Sequence, residues 1–426
     1  MSYFGIPLRN GVGVGLGNAV AVNTSPIKGG PTLSLSFLDG TLDPRITFTR
    51  STTATYTNSA GAIATAAINA PRFTYNPVTL APQGLLIEEQ RTNLLLYSEQ
   101  FDAIVWTKIN VSITANATIA PDGASTADKV VENTTANAAH NLQNTSGTGL
   151  LVNGVESIYL KAAERSKVLM YDAVAAKGVG FDLSNGTTFT VSGISLAATY
   201  SITTVGNGWY RCDLAATNAA DIRVYLCDAS GAFSYTGNGT SGIYIWGAQL
   251  EAGAFATSYI PTTIAQVTRT ADNASMTGTN FSSWYNASEG SFFTNINIVG
   301  TSAYPVIPIT YQSAAANANN LGFAASGNQL IFAGRTSAAN QSATYNTTIP
   351  FNGKLAGAYK ANDLVAVKNG IVTGTDTTGT PPTVDAFCIA GVQVPYWQAT
   401  NGQIYIKSII YYPRRLSNTE LQVITA

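Results

Sequence analysis

The chain has 426 residues, of which 45% are hydrophobic and only 11% charged, and its net charge is −1. Soluble proteins usually carry about 25% charged residues, so the Lys- and Glu-faced helices of an α protein are excluded as the main architecture. The absence of a basic run argues against a nucleic-acid binder, which needs Lys and Arg to displace counterions from phosphates.

The first residues, Met1-Ser2-Tyr3-Phe4-Gly5, have neither the charged start nor the apolar stretch of a secretory leader. No apolar run reaches the ~18 residues of a spanning helix. Synthesis in a cytoplasm, without membrane insertion, is the expectation. Residues 1–44 are rich in Gly and Pro, and Gly11-Val12-Gly13-Val14-Gly15-Leu16-Gly17 lacks the glycine offset of a dinucleotide loop. They are predicted to form an irregular attachment arm, ordered only where a partner ties it down.

Residues 45–92 hold a polar stretch from Arg50 to Ala67 and two strand-like runs, 71–75 and 84–89. They predict a small β neck or connector. Two longer units follow, 93–262 and 263–426, each the size of one sandwich. Strand patterns cover 157–161, 209–214 and 222–226. Asn-Gly occurs eight times, and it suits the two positive-φ positions of a type I′ hairpin turn. Asn369-Gly370, between alternating apolar runs, is the clearest case. One helix closes the chain: Ser417-Asn418-Thr419-Glu420 is a capping box, with Leu416 and Leu421 placed for a hydrophobic staple. The predicted fold class is all-β, with tandem antiparallel β-sandwiches behind an irregular arm.

Few residues suggest chemistry. Cys212, Cys227 and Cys388 are an odd, sparse set and read as reduced core thiols. His140 is the only histidine. Nothing around it resembles a nucleophile motif, so it reads as a polar surface or ligand-groove residue. Glu88-Glu89 is the one adjacent carboxylate pair that a glycosidase reading could use. Neighbours on a strand point to opposite faces, so a structural pairing with Arg91 or Arg72 is the favoured role. Sugar binding uses aromatic faces beside hydrogen-bonding groups. Trp284-Tyr285 and Tyr396-Trp397 lie beside polar, turn-like residues and are the candidates, with burial in a core or subunit interface as the competing reading. Trp209 and Trp246 sit in apolar strand patterns and read as core.

Three segments carry a family resemblance. Thr47-Phe48-Thr49-Arg50-Ser51-Thr52-Thr53-Ala54-Thr55-Tyr56 is the first. Gly84-Leu85-Leu86-Ile87-Glu88-Glu89-Gln90-Arg91-Thr92-Asn93-Leu94-Leu95-Leu96-Tyr97-Ser98-Glu99-Gln100-Phe101 is the second. The third is Ile243-Tyr244-Ile245-Trp246-Gly247-Ala248-Gln249-Leu250-Glu251-Ala252-Gly253 with Thr257-Ser258-Tyr259-Ile260-Pro261-Thr262. Together they resemble a signature of structural proteins of tailed bacteriophages and gene-transfer agents, including tail fibres and head spikes or head fibres. Within 93–262 the pattern is similar to a carbohydrate-binding-module jelly roll. Its first and last strands are expected to pair. Gly290-Ser291-Phe292-Phe293, the hairpin at Asn369-Gly370, and residues 402–412 with the closing helix resemble a concanavalin-A-like or laminin-G-like lectin sandwich.

The resemblance implies a non-enzymatic virion fibre, spike or decoration protein. The N-terminal arm would bind other virion proteins, the sandwiches would meet host surface polysaccharide, and the assembly would be a homotrimer. No cofactor is implied except a structural calcium, for which Glu99, Asp102 and Glu251 are the ligands suggested by analogy. A structural adaptor without glycan binding, and a capsule-degrading hydrolase, are the alternatives.

Overall fold

The computed structural model describes residues 29–144, 149–300, 306–313, 319–326, 329–336, 340–390 and 402–426. Most of the expected arm, and the pair Tyr396-Trp397, lie outside the described residues. The chain folds into two antiparallel β-sandwiches, as the composition predicts. Among the described residues, no helix is long and apolar enough to cross a membrane.

The first sandwich is the jelly roll. One six-stranded sheet runs Thr199–Gly206, Trp209–Ala219, Leu151–Ala162, Gly242–Ala252, Ala127–Glu132, Val111–Thr118. The other runs Thr187–Phe189, Lys177–Asp182, Lys167–Asp172, Ile222–Leu226, Asn141–Asn144, Thr107–Ile109. The chain passes repeatedly from one sheet to the other, which is why neither sheet is a simple meander. Period-two alternation fixes which face looks inward. Ile222, Val224 and Leu226 are buried, while Arg223 and Tyr225 between them are half-exposed. With Ile158, Leu160, Met170, Phe181 and Leu214 they fill the space between the sheets.

The expected pairing of first and last strands is not a β ladder, because Arg91–Asn93 pairs with Val267–Arg269 instead. The two segments lie side by side all the same: the Leu94 amide donates to the Leu250 carbonyl at 2.9 Å, and Asn93 ties them together. Its side-chain amide donates to the carbonyls of Ala248 at 3.1 Å and Ile260 at 2.9 Å. Its Oδ1 accepts from the amides of Leu95 at 3.1 Å and Leu250 at 3.2 Å. Both donors and both acceptor positions are used, so this fully buried amide leaves nothing unsatisfied.

The second sandwich is larger than residues 263–426. Its eight-stranded sheet runs Ile371–Asp376, Asp363–Lys368, Phe351–Lys360, Gly290–Gly300, Gln403–Tyr412, Pro82–Glu88, Arg72–Tyr75, with Leu33–Ser36 also on Gln403–Tyr412. Its seven-stranded sheet runs Thr47–Thr49, Asn273–Thr277, Ala386–Ala390, Val306–Tyr311, Asn320–Ser326, Gln329–Arg335, Asn340–Thr348. Residues 33–88 therefore supply strands to both sheets. The arm at 1–44 and the neck at 45–92 are corrected accordingly: Leu33 pairs with Tyr411, and Leu86 with Tyr405. Such pairings join chain ends far apart in sequence, and local patterns do not report them.

The jelly roll is thus an insertion into the second sandwich. The chain leaves after Pro82–Glu88 and returns at Asn273–Thr277. At that point the Asp272 amide donates to the Glu88 carbonyl at 3.0 Å. Arg91–Asn93 and Val267–Arg269 pair as a two-stranded stalk. The hairpin Ala54–Thr57 with Ile63–Ala66 lies over the outer face of the jelly roll, where Ile63 meets Tyr159, Trp209, Trp246 and Tyr259. Trp209 and Trp246 are buried there, as their strand patterns suggest.

The local signals also hold. Asn369 and Gly370 have φ of 46° and 80°, as a type I′ turn requires. The closing helix Asn418–Thr425 has both reciprocal bonds of the capping box, and Leu416 and Leu421 are buried together. All three cysteines are buried and outside any disulfide.

Candidate functional site

The segments that carry the family resemblance converge at the joint between the sandwiches. Arg72 Nη1 lies 2.6 Å from Glu88 Oε2, and Arg72 Nη2 lies 2.5 Å from Asp272 Oδ2. Arg50 Nη1 reaches Asp272 Oδ1 at 3.0 Å, and Arg269 Nη1 reaches Glu88 Oε2 at 2.9 Å. None of these side chains is more than 1% exposed. Ser258 donates to Glu88 from its amide at 2.7 Å and its hydroxyl at 2.6 Å, and Gln403 Nε2 donates at 3.0 Å. The Thr257 amide and hydroxyl both donate to Glu251. Buried charges persist only when paired and hydrogen-bonded: Glu88 and Asp272 are each matched by two guanidinium groups, while the Nε atoms of Arg72 and Arg269 have no acceptor among the described residues. Burial opposes ionisation of Glu88, but Arg269, Arg72 and Ser258 outweigh it and hold the carboxyl at about 2.

Glu89 pairs with Arg91 at 2.6 Å, and the Arg91 guanidinium stacks on the Phe255 ring at 4.8 Å. A side chain at Gly253 would collide with that guanidinium, so the position admits only glycine without rearrangement. The structural role expected for Glu88 and Glu89, with Arg72 and Arg91 as partners, is what the geometry gives. Glu88 is sealed from solvent and fully engaged, and Glu89, which lines a separate cleft, is paired with Arg91, so the two carboxylates do not flank one open site.

Beside this network, between the sandwiches, lies a cleft of about 430 Å³. Thr199, Ser201 and Thr203 form one wall, on an edge strand of the jelly roll. Asn297 and Val299 of the second sandwich form the other, and Phe255 and Tyr405 supply aromatic surface. Arg211 and Asp213 line it too. Arg211 Nε is 3.3 Å from Asp213 Oδ1, and its Nη2 donates to Ser157 Oγ at 2.8 Å. Ser201 Oγ donates to Asp213 Oδ2 at 2.7 Å. Burial raises the Asp213 carboxyl above its usual value, against the pull of Arg211 and Ser201. Burial also opposes the Arg211 charge, but Tyr159, Asp213, Glu251 and Glu88 together keep its proton tightly bound. Gln403 faces the cleft and donates to Glu88, so cleft and joint share a side chain.

This cleft is not where the candidate residues fall. Trp284 is 3% exposed and packs edge-on against Phe281, Phe387 and Tyr411. Tyr285 stacks on Phe281 and Tyr411. The short helix Thr279–Ser282 turns both rings toward the core, where Trp284 is buried and Tyr285 half-buried, so Trp284 forms no sugar platform. His140 is likewise corrected to a core residue. It is fully buried, with Nδ1 2.9 Å from the Asn110 carbonyl and its ring 4.8 Å from Tyr235.

The calcium ligands suggested by analogy are not assembled. Glu251 is held by Thr257, Glu99 accepts from Tyr259 Oη at 2.9 Å, and Asp102 is exposed. Among the described residues no three His, Cys, Asp or Glu side chains gather as a metal site. The cleft residues Arg211 and Asp213 were accessible from the strand pattern at 209–214. With Cys212 and Leu214 inward, both charges must share the outer face.

No protein-family model matches the sequence, and no curated protein matches it. Solved structures resemble parts of it. The carbohydrate-binding module CBM40 of the Ruminococcus gnavus IT-sialidase aligns at 13% identity over 33% of this chain and 84% of its own, with a TM-score of 0.29. A botulinum neurotoxin type C structure, described as entering cells through two ganglioside molecules, aligns at 14% identity over 36% of this chain and 39% of its own, with a TM-score of 0.28. The botulinum neurotoxin serotype D binding domain aligns at 11% identity over 36% of this chain and 40% of its own, at 0.28. The chain thus spans about two-fifths of the neurotoxin chains it matches.

Proposed function

We propose that this chain is a non-enzymatic structural protein of a phage-type virion, a fibre, spike or decoration subunit, that adsorbs to host surface glycans through the cleft between its sandwiches. The observation that carries the glycan reading is the cleft itself. It lies at a domain boundary, has the volume of a small-molecule site, and combines hydroxyl and amide groups with aromatic surface. A sugar ring needs that combination: an apolar face to cover and hydroxyls to satisfy. The virion reading rests on the sequence resemblance. The same segments build the joint, which suits a particle component whose two sandwiches must stay in one orientation.

In this reading residues 1–28 belong to the part of the chain that attaches to other virion proteins, and the subunits are trimeric. Adsorption works by avidity: many copies, each of modest affinity, engage one cell surface together. The test is mass spectrometry of purified particles, with adsorption of particles lacking the protein. Presence in the particle and reduced adsorption support the proposal. Absence from the particle, or unchanged adsorption and particle stability, refutes it.

A structural adaptor without glycan binding is the second reading. Burial of Trp284 favours it, because that removes one of the aromatic residues expected to meet sugar.

A further inference from the structure

The glycan reading leaves open what kind of glycan the cleft takes, and its charge distribution answers this. We infer that the cleft is selective for neutral, polyhydroxylated sugars and rejects uronic-acid polysaccharides. This rests on the glycan reading and narrows it.

Among the described residues, the only charged side chains lining the cleft are Arg211 and Asp213. They face each other at 3.3 Å. Arg211 donates from Nη2 to Ser157 Oγ and lies over the face of the Tyr159 ring, 5.6 Å from its centroid, while its Nε is buried without a hydrogen bond among the described residues. Glu88 and Glu251 add negative potential at Arg211 from beneath. A uronate would need a cation with no competing carboxylate beside it, since anion recognition depends on charge-assisted donors. Here the one cation already has a carboxylate neighbour. A sugar carboxylate entering the cleft would meet Asp213 at close range and low dielectric, where like charges repel strongly.

The rest of the lining suits hydroxyls. Thr199, Ser201 and Thr203 present three alternate hydroxyl-bearing residues along one strand face. Gln83, Asn297 and Gln403 add amides. Hydroxyls and amides both donate and accept, as sugar hydroxyls do. Ser201 already holds Asp213 Oδ2, which fixes the carboxylate as an acceptor at the rim of this row.

The experiment compares the full-length protein with Asp213→Asn and Thr203→Trp. Binding is measured to labelled neutral oligosaccharides (glucan, mannan, galactan and N-acetylglucosamine oligomers) and to oligogalacturonate and oligoguluronate, at low and high salt. The wild type is expected to bind a neutral series with little salt dependence and to ignore the uronates. Asp213→Asn removes the rejecting charge and a charged acceptor. It should weaken neutral binding about tenfold or more and raise uronate binding, now salt-sensitive. Thr203→Trp, on an exposed edge-strand position, should lose both while unfolding at the wild-type temperature. Wild-type preference for uronates overturns this inference and leaves the glycan reading standing. No binding to either class, by a folded protein, overturns both.

Discussion

Arg72 and Glu88 meet at 2.6 Å with neither side chain exposed, at the point where the jelly roll leaves the sandwich that contains it. Arg50 and Asp272 extend the pair on one side, and Arg269 and Ser258 on the other. The network therefore ties the two chain crossings between sandwiches to the strands on which they rest. Breaking one partner of a buried pair leaves a charge without compensation. Arg72→Ala should destabilise the protein by about 3–5 kcal/mol, read as a lower urea midpoint. A change within about 0.5 kcal/mol, typical of surface positions, would contradict this account of the joint.

The same pair sets an acid limit. The Glu88 carboxyl stands at about 2 in the fold, against 4.5 for the free group. Its contribution to stability is complete above the unfolded value and is lost as pH falls towards the folded one. Urea midpoints should drop through this range. Glu88→Gln should be destabilised at neutral pH but show a shallower acid decline. An equally steep decline in the variant would assign the acid limb to other groups.

Glu156 acts in the opposite direction. It is 1% exposed, and burial first, then Asp172 and Asp221, push its carboxyl well above the usual value. Asp172 is saturated by the amides of Val174, Ala175, Ala220 and Asp221 at 2.7–3.2 Å. Burial and the neighbouring Asp172 and Asp221 therefore favour the protonated form of Glu156. A raised carboxyl favours the fold below its unfolded value and loses that contribution as pH rises through the folded one. Glu156→Gln cannot ionise, so its stability relative to wild type should grow as pH rises above the usual carboxylate range. Parallel pH profiles would refute a raised Glu156 carboxyl.

The inserted topology makes a prediction about fragments. Residues 263–426, cut where the sequence suggests a domain, lack the strands Leu33–Ser36, Thr47–Thr49, Arg72–Tyr75 and Pro82–Glu88. They expose the flank of Gln403–Tyr412 and the apolar side chains that Leu33, Leu35, Leu85 and Ile87 cover. Unpaired edges of this kind aggregate. The fragment should be insoluble or poorly folded, whereas 29–426 should give a cooperative transition. A stable, well-dispersed amide spectrum from 263–426 alone would contradict the topology.

What the sequence discloses follows from how local each signal is. The hairpin at Asn369-Gly370, the capping box at Ser417 and the strand at 222–226 depend on neighbours within a few residues, and all are read correctly. The pairing of Glu88 with Arg72 is also legible, because few other charges compete in so sparsely charged a chain. The membership of residues 33–88 in the second sandwich is not legible. Leu33 and Tyr411 lie at opposite ends of the sequence, and alternation reveals a strand without naming its partner. The inward turn of the Trp284-Tyr285 pair is missed for a related reason. Trp284 and Tyr285 lie among Ser and Asn residues, but a short helix turns them inward, and polar neighbours do not reveal that direction. The cleft has no continuous motif, since its walls come from separate sandwiches brought together by the insertion.

The most direct test of the central claim is cell binding by fluorescently labelled full-length protein, wild type against Thr203→Trp, across a panel of bacterial strains before and after enzymatic removal of capsule or lipopolysaccharide. The account predicts that wild-type protein stains at least one strain, that stripping the glycan abolishes the staining, and that Thr203→Trp, equally stable, does not stain. Staining that survives removal of the glycan, or is undiminished in the Thr203→Trp protein, would contradict a glycan site in the cleft and favour a purely structural role.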